Sequence, residues 1–307
     1  MAFGRDELVG TLGNLVSITR ANFLPLTIVI VLAGLAAAFY SHRTFLPIDA
    51  ALVTVGALLT HASVNAFNNY FDFRSKIDAK TPKTPFSGGV DILVKGMMKP
   101  SEALAVCLFT IICAALIGVY FLVRLFNVLL PLIVYGAIII VLYTPVFSRV
   151  PALSEIVAGS GFGLMGLGVY VTQTGLIDAT GIAILIPITI LVALLLFLNE
   201  FPDAEVDRAG GRRHIVILFG KRGSAWLYVA GQVATYASII IAVAVGAAPL
   251  PVLLSLLSLP IAYKAGRVTL KNYNQTPDLV PALGSNVLFI LSTIALMACG
   301  FAIGSLV

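Results

Sequence analysis

Apolar runs long enough to cross a bilayer alternate with short polar segments along most of this chain. Nine such runs cover residues 22–40, 50–71, 102–123, 128–147, 154–172, 181–199, 223–246, 248–263 and 279–306. A crossing helix needs about 20 predominantly apolar residues, and eight of the nine runs approach or exceed that length. The eighth, 248–263, is short and flanked by proline, which suggests a re-entrant or tilted segment. The pattern predicts an all-α integral membrane protein whose single polytopic domain spans 1–307. Composition agrees: 59% of residues are hydrophobic and 11% charged, where a soluble domain is about half apolar and about a quarter charged.

Charge placement orients the runs. Threaded through nine crossings, 17 of the 19 Lys and Arg residues fall on one side, and Arg43 and Arg124 on the other. Cytoplasmic loops carry the Lys/Arg excess, so the cation-rich side is predicted to be cytoplasmic, with the N-terminus inside and the C-terminus outside. The net charge of +5 is thereby explained by topology, and no nucleic-acid partner is expected. Arg5, Asp6 and Glu7 precede the first run, which does not read as a cleaved signal peptide. Cys107, Cys113 and Cys299 lie inside apolar runs and form neither a disulfide framework nor a zinc pattern.

Two stretches break the apolar pattern with chemistry. At the end of the second run stand Asn68, Asp72, Arg74, Lys76 and Asp78; at the end of the sixth stand Asn199, Glu200, Asp203 and Asp207. Each contains Asn-x-x-x-Asp, and helical positions i and i+4 share a face. The recurrence four runs apart suggests an internal duplication relating helices 2 and 6. A single acid at a membrane surface is ordinarily a solvated helix end. Four carboxylates (Asp72, Asp78, Asp203 and Asp207) around one place would repel unless a cation joined them. Hard oxygen ligands of this kind suit Mg²⁺, which usually binds through a few carboxylates plus substrate phosphates. Arg74, Lys76, Lys83 and Lys95 are near enough in sequence to hold phosphate oxygens. Acids and bases together point to metal–diphosphate binding, with an ordinary salt-bridged surface as the plainer alternative. The loops expected to carry this chemistry run over 72–101 and 200–222.

Other polar residues add less. His61 and Asn65 lie within the second run, where polar groups face a cavity or a neighbouring helix. Gly159, Gly161, Gly163, Gly166 and Gly168 in the fifth run allow close helix packing or leave room for a lipid-like ligand. His214 falls in a basic segment and is expected to be solvated. Lys221 and Arg222 open the seventh run and suit lipid headgroups.

Taken together, Asn68-x-x-x-Asp72 with Asp78, and Asp203-x-x-x-Asp207, in a nine-run chain resemble the two aspartate motifs of the UbiA superfamily of intramembrane prenyltransferases. The resemblance covers nearly the whole chain. Arg20 to Pro25 is similar to the start of that family's first helix, with Asn22 at a cavity-facing polar position. Tyr143-Thr144 resembles the tyrosine-led motif beside the prenyl chain. The spacing of Asp72 and Asp78, the segment from Thr84 through Gly89 to Gly96, and the run Gly168 to Gly175 resemble the menaquinone branch, the dihydroxynaphthoate polyprenyltransferases. The chain departs from the pattern at Asn69, where many relatives have Asp, and at Phe147, which replaces a lysine, with Arg149 two residues on.

The resemblance implies nine helices around a central cavity, open laterally to lipid and capped by cytoplasmic loops. It implies Mg²⁺-dependent transfer from an isoprenyl diphosphate to an aromatic acceptor or a lipid-precursor acceptor. By role, Asn68, Asp72, Asn199, Asp203 and Asp207 would bind metal, and Asp78 would bind metal or activate the acceptor. Asn22, Arg74, Lys83, Lys95 and Arg149 would bind substrate. The Tyr143 ring would face the allylic cation, or else serve as an interfacial tyrosine. Two other classes remain at this point: an ion-coupled transporter, whose site would lie nearer the midplane, and a membrane phosphotransferase, whose extended signature is not visible.

Overall fold

The computed structural model describes residues 5–74, 90–143 and 145–307. Asp78 and Lys83, with the rest of 75–89, lie outside the described residues. Among those described there is no strand, and the helices are α1 (Arg5–Ile18), α2 (Leu24–His42), α3 (Pro47–Arg74), α4 (Pro100–Leu142), α5 (Leu153–Thr174), α6 (Ala179–Ala209), α7 (Ile215–Ala244), α8 (Leu259–Asn272) and α9 (Thr276–Gly304). Seven described segments, ending on α2 to α7 and α9, are long and apolar enough to cross a membrane.

Two elements depart from the expected runs, while α4 keeps two of them: the third and fourth runs lie on either side of its break at Leu125 (φ −130°, ψ 37°). Its 43 residues would extend roughly 65 Å if straight, twice a bilayer's apolar thickness. The chain instead doubles back at the break, because a Cβ at Gly118 would sit 3.8 Å from the Ile133 side chain. The eighth run becomes a 3-10 stretch, Leu250–Ser258, continuing into α8 as far as Asn272. Finally, α6 does not end at 199 but continues to Ala209, with Pro202 inside it. The long loop expected over 200–222 is therefore corrected to a five-residue connection, 210–214.

The centre of the bundle is made by α2, α5, α6 and α9, where Ile30, Tyr170, Ile184, Leu191, Phe289 and Phe301 are fully buried. In a membrane, close backbone approach replaces much of the hydrophobic driving force. A Cβ at Gly159 or Gly163 would collide with Thr189 of α6. One at Gly34 would lie 2.8 Å from the Gly166 carbonyl oxygen. The glycine-rich face of α5 is thus mainly a packing surface, although Gly168 has open space beside it. α3 and α6 are joined through α2 and α5, which leaves their motif-bearing ends to be bridged by side chains.

Candidate active site

Asn65, Asn69 and Asp72 recur at i, i+4 and i+7 on the last turns of α3, on one face. The two amides hold the chain that enters α2. Asn65 Nδ2 donates to Thr19 O (2.9 Å), and Asn69 Nδ2 donates to Ile18 O (2.9 Å). These are carbonyls at the end of α1, which lack helical partners of their own. The Asn69 oxygen accepts from Arg20 Nη2 (2.8 Å) and Nε (3.2 Å). Arg20 itself is left-handed (φ 48°, ψ 53°), an uncommon backbone for a residue with a side chain. Its guanidinium acts electrostatically on Asp72.

The role of Asn69 explains why this chain carries an amide there. A carboxylate could accept from Arg20 but could not donate to Ile18 O. Asn69 is fully buried, and a buried acceptor stripped of its donor costs about 1–3 kcal/mol. Asn69→Asp and Asn69→Ala should therefore both lower thermal stability. A midpoint at or above that of the wild type in either variant would remove Asn69 from this role.

On α6, Asn199, Asp203 and Asp207 recur every four residues. After Ala209 the chain turns at Gly211 (φ 83°), a left-handed position that suits glycine. The short return is pinned by Arg213 N to Ser148 O (3.3 Å) and by Ala152 N to Arg213 O (3.2 Å). This brings Arg212 back between the motifs. Its Nη2 lies 2.6 Å from Asp72 Oδ1 on α3, and its Nη1 lies 3.1 Å from Asp207 Oδ1 on α6. Burial works against the Arg212 charge, but Asp72 and Asp207 outweigh it and hold its pKa above the ordinary guanidinium value. Asp203 is also within electrostatic reach of Arg212.

Behind this bridge runs a buried polar chain. His214 is 2% exposed, so the expectation that it is solvated is wrong. The five-residue connection returns it to the face of α6, with Nε2 3.4 Å from Asp207 Oδ2 and Nδ1 3.5 Å from Glu200 Oε2. Glu200 in turn receives Ser154 Oγ at 3.4 Å. The same hydroxyl donates to Glu155 Oε2 at 2.6 Å. The other Glu155 oxygen accepts from Ile215 N at 2.7 Å, capping the start of α7, whose N-cap residue His214 supplies no cap itself. One chain of contacts thus links α5, α6, the start of α7 and α3.

Tyr143 follows the last residue of α4. It is half-buried and lies within electrostatic reach of Glu200, Arg212, Glu155 and Asp72. Burial first, and the Glu200 charge second, push its phenol pKa well up, so the ring stands neutral among the motif charges rather than alone at the membrane rim. His61 and Asn65 make helix-to-chain contacts: His61 Nδ1 meets Thr27 Oγ1 at 2.7 Å, and Asn65 binds Thr19 as above.

The structure therefore gathers Asp72, Asp203, Asp207 and Tyr143, with Asn68 one turn before Asp72 and Asn199 one turn before Asp203. Other expected residues have different surroundings. Arg74 is exposed over the Tyr70 ring, 6.0 Å from its centroid. Lys95 pairs with Asp91 at 3.2 Å. Arg149 and Asn22 are exposed on short 3-10 turns. Arg20, Arg212, His214, Glu155 and Glu200 were not singled out as site residues by the sequence reading. The Gly210-Gly211 pair was the available signal for a tight return, but nothing distinguished Arg212 from Arg213.

The donor set fits a hard divalent cation. Asn199 Oδ1 is buried without a hydrogen-bond partner, one helical turn before the Asp203 carboxylate on the same face of α6. Among the described residues no three His, Cys, Asp or Glu side chains are already grouped as a metal site. Any such ion would draw on the amide oxygens as well as the carboxylates.

Comparison with known proteins then decides the family. Residues 27–292 match the model of the UbiA prenyltransferase family. The chain belongs to the UbiA prenyltransferase family. It is 30% identical over 264 residues to the 1,4-dihydroxy-2-naphthoate octaprenyltransferase of Bacillus subtilis, covering 83% of this chain and 81% of that protein. An apo UbiA homologue from Aeropyrum pernix superposes with a TM-score of 0.70 at 19% identity, over 90% of this chain and 97% of that one. A UbiA homologue from Archaeoglobus fulgidus, solved with DMAPP and Mg²⁺, gives 0.57 at 14% identity, over 92% of this chain and 99% of that one. The likeness to the solved structures shows that the described helices adopt the UbiA fold. Family membership makes the chain an integral membrane prenyltransferase and leaves the transporter and phosphotransferase readings without support.

Proposed function

We propose that this UbiA-family chain transfers an isoprenyl group from an isoprenyl diphosphate to an aromatic quinone precursor, with 1,4-dihydroxy-2-naphthoate the first candidate acceptor. The observation that carries this reading is the Arg212 bridge, which holds Asp72 of one motif and Asp207 of the other on a single guanidinium (2.6 and 3.1 Å). Two motifs brought that close suit one diphosphate. The similarity to the Bacillus subtilis octaprenyltransferase favours the naphthoate acceptor.

Asn68, Asp72, Asn199, Asp203 and Asp207 would hold Mg²⁺, with Asp78 a further ligand or the acceptor's base. Bound there, Mg²⁺ supplies Lewis-acid stabilisation of the leaving diphosphate. Arg20 and Arg212 stand beside the same carboxylates and would hold diphosphate oxygens by charge-assisted hydrogen bonds. The C–O bond then breaks with its electron pair leaving on the diphosphate. The Tyr143 ring faces the resulting allylic cation. A ring carbon of the acceptor attacks that cation, and the proton on that carbon passes to a base, for which Asp78 is the candidate. Packed helices exclude water, which would otherwise quench the cation. In this reading the two arms of α4 cross separately, and the Leu250–Ser258 and α8 segment completes nine crossings. The positive side, with the N-terminus and the motif loops, is cytoplasmic.

The test is turnover of purified protein with radiolabelled geranylgeranyl diphosphate, with and without Mg²⁺. The acceptor panel holds dihydroxynaphthoate, 4-hydroxybenzoate and geranylgeranylglyceryl phosphate. A Mg²⁺-dependent product with dihydroxynaphthoate is expected. A product with only the glyceryl phosphate would move the chain to lipid synthesis, and absence of Mg²⁺-dependent diphosphate binding would overturn the site.

A further inference from the structure

Several described cations have acidic partners: Lys95 with Asp91, Arg124 with Asp49, Arg208 with Glu205, and Arg212 with both motifs. The basic residues of α7 and α8 are different. Lys221, Arg222, Lys264, Arg267 and Lys271 form no side-chain ion pair or hydrogen bond with a described residue, and all but half-buried Lys221 are exposed. The acid nearest in sequence to the three cations of α8 is Asp278, itself exposed in the first turn of α9.

Their arrangement is ordered. Lys264, Arg267 and Lys271 fall at i, i+3 and i+7 of α8, on one stripe. Ala262, Ala265, Gly266 and Thr269 form the opposite, buried stripe. Tyr236 of α7 meets Ser258 Oγ at 2.8 Å, and Gln232 Nε2 meets Ala262 O at 2.9 Å. The two helices therefore run antiparallel, and Gly266 accordingly lies against Val229. Continuing that register puts Lys271 level with the Arg222 turn, at the motif end of the bundle. Lys264 lies roughly 10 Å deeper, seven residues at 1.5 Å each. Exposed Tyr263 adjoins Lys264 in α8, and exposed Trp226 follows Arg222 by one turn in α7, with 68% and 62% of their surfaces free. At Gly220 (φ 69°, ψ 161°) α7 is broken, so Lys221 and Arg222 begin its main segment.

A membrane explains what a soluble surface would not. Unpaired cations on the outer face of a membrane helix are costly. They extend towards the interface, and a phosphate at headgroup depth relieves them. Aromatic residues beside them sit at the same level. We propose that α8 and the start of α7's main segment form a binding face for the headgroup of an anionic phospholipid, gripped by Lys264, Arg267 and Lys271 with Arg222 at its rim. The partner is a lipid surface of negative charge, because three cations on one helical stripe, paired with no acid among the described residues, match phosphodiester charge.

The probe is dioctanoyl phosphatidylglycerol, with dioctanoyl phosphatidylcholine as the neutral comparison, added to the full chain in uncharged detergent and read by thermal shift. The glycerol lipid should raise the unfolding midpoint more than the choline lipid. Replacing Lys264, Arg267 and Lys271 together by Gln should weaken its apparent affinity roughly 100-fold, about fivefold per cation. Should the triple variant not fold, Arg267→Gln alone should show its fivefold share. Equal response to the two lipids, or unchanged affinity in the variants, overturns the proposal. So does inorganic phosphate reproducing the shift, which would make this a free-anion site. None of these outcomes depends on prenyl transfer.

Discussion

Replacing Arg212 by Ala should lower kcat/KM by roughly 10²–10³-fold, the scale of losing one fixed donor to developing negative charge, and should also destabilise the protein. The guanidinium is a two-sided tie. One nitrogen faces Asp72 and the other faces Asp207, and the Asp207 side chain is only 4% exposed. Removing one partner of a buried pair costs about 3–5 kcal/mol, because the other charge is left uncompensated. Here two carboxylates would be left. Arg212→Lys is the informative companion, since a lysine keeps the charge but has no planar fork to reach two carboxylates at once. Its activity should fall between the wild type and Arg212→Ala. Arg213→Ala is the control: the same charge, one residue on, but exposed, and expected to stay within about 0.5 kcal/mol of the wild type. Equal effects at 212 and 213 would show that only net charge matters and would sink the tie.

This contrast also marks where sequence reading stops. The i, i+4 spacing of Asn68 with Asp72 and of Asp203 with Asp207 was legible, because helical periodicity is local. The extent of α6 was not. Residues 200–209 are polar and contain Pro202, so the apolar pattern ended at 199 while the helix did not. Hydropathy reports what a helix faces, and this last part faces a polar site. That error then misplaced His214. With a long loop, a basic segment is solvated; with a five-residue return, His214 is carried against Glu200 and Asp207. The break at Leu125 was legible without a glycine or proline, because Arg124 and Asn127 interrupt the apolar run there and separate 102–123 from 128–147. The departure at Asn69 was visible in the sequence, but its reason, a donor for Ile18 and an acceptor for Arg20, exists only once α1 is packed against α3.

Asp72→Asn and Asp203→Asn should each reduce turnover by about 10³-fold or more if each carboxylate helps hold the metal and diphosphate on which ionisation depends. Both substitutions keep side-chain volume, and Asp72 lies in the last turn of α3 and Asp203 on the polar final segment of α6, so the variants should remain folded. Asp72→Asn should show the larger loss of thermal stability of the two, because it also removes the charge that faces Arg212 Nη2 at 2.6 Å and leaves only a neutral acceptor. The double variant decides whether the motifs act as one unit. Groups that share one reacting centre are strongly non-additive. Two motifs on one diphosphate should leave the double variant scarcely worse than either single one, whereas independent sites would multiply the losses. Mg²⁺ titration separates the causes further. Loss of a metal ligand should raise the Mg²⁺ concentration needed for half-maximal turnover, a shift that a change in packing alone would not produce. Wild-type rates for both single variants in saturating Mg²⁺ would mean that these aspartates are not the site, and that the Arg212 bridge between α3 and α6 serves packing alone.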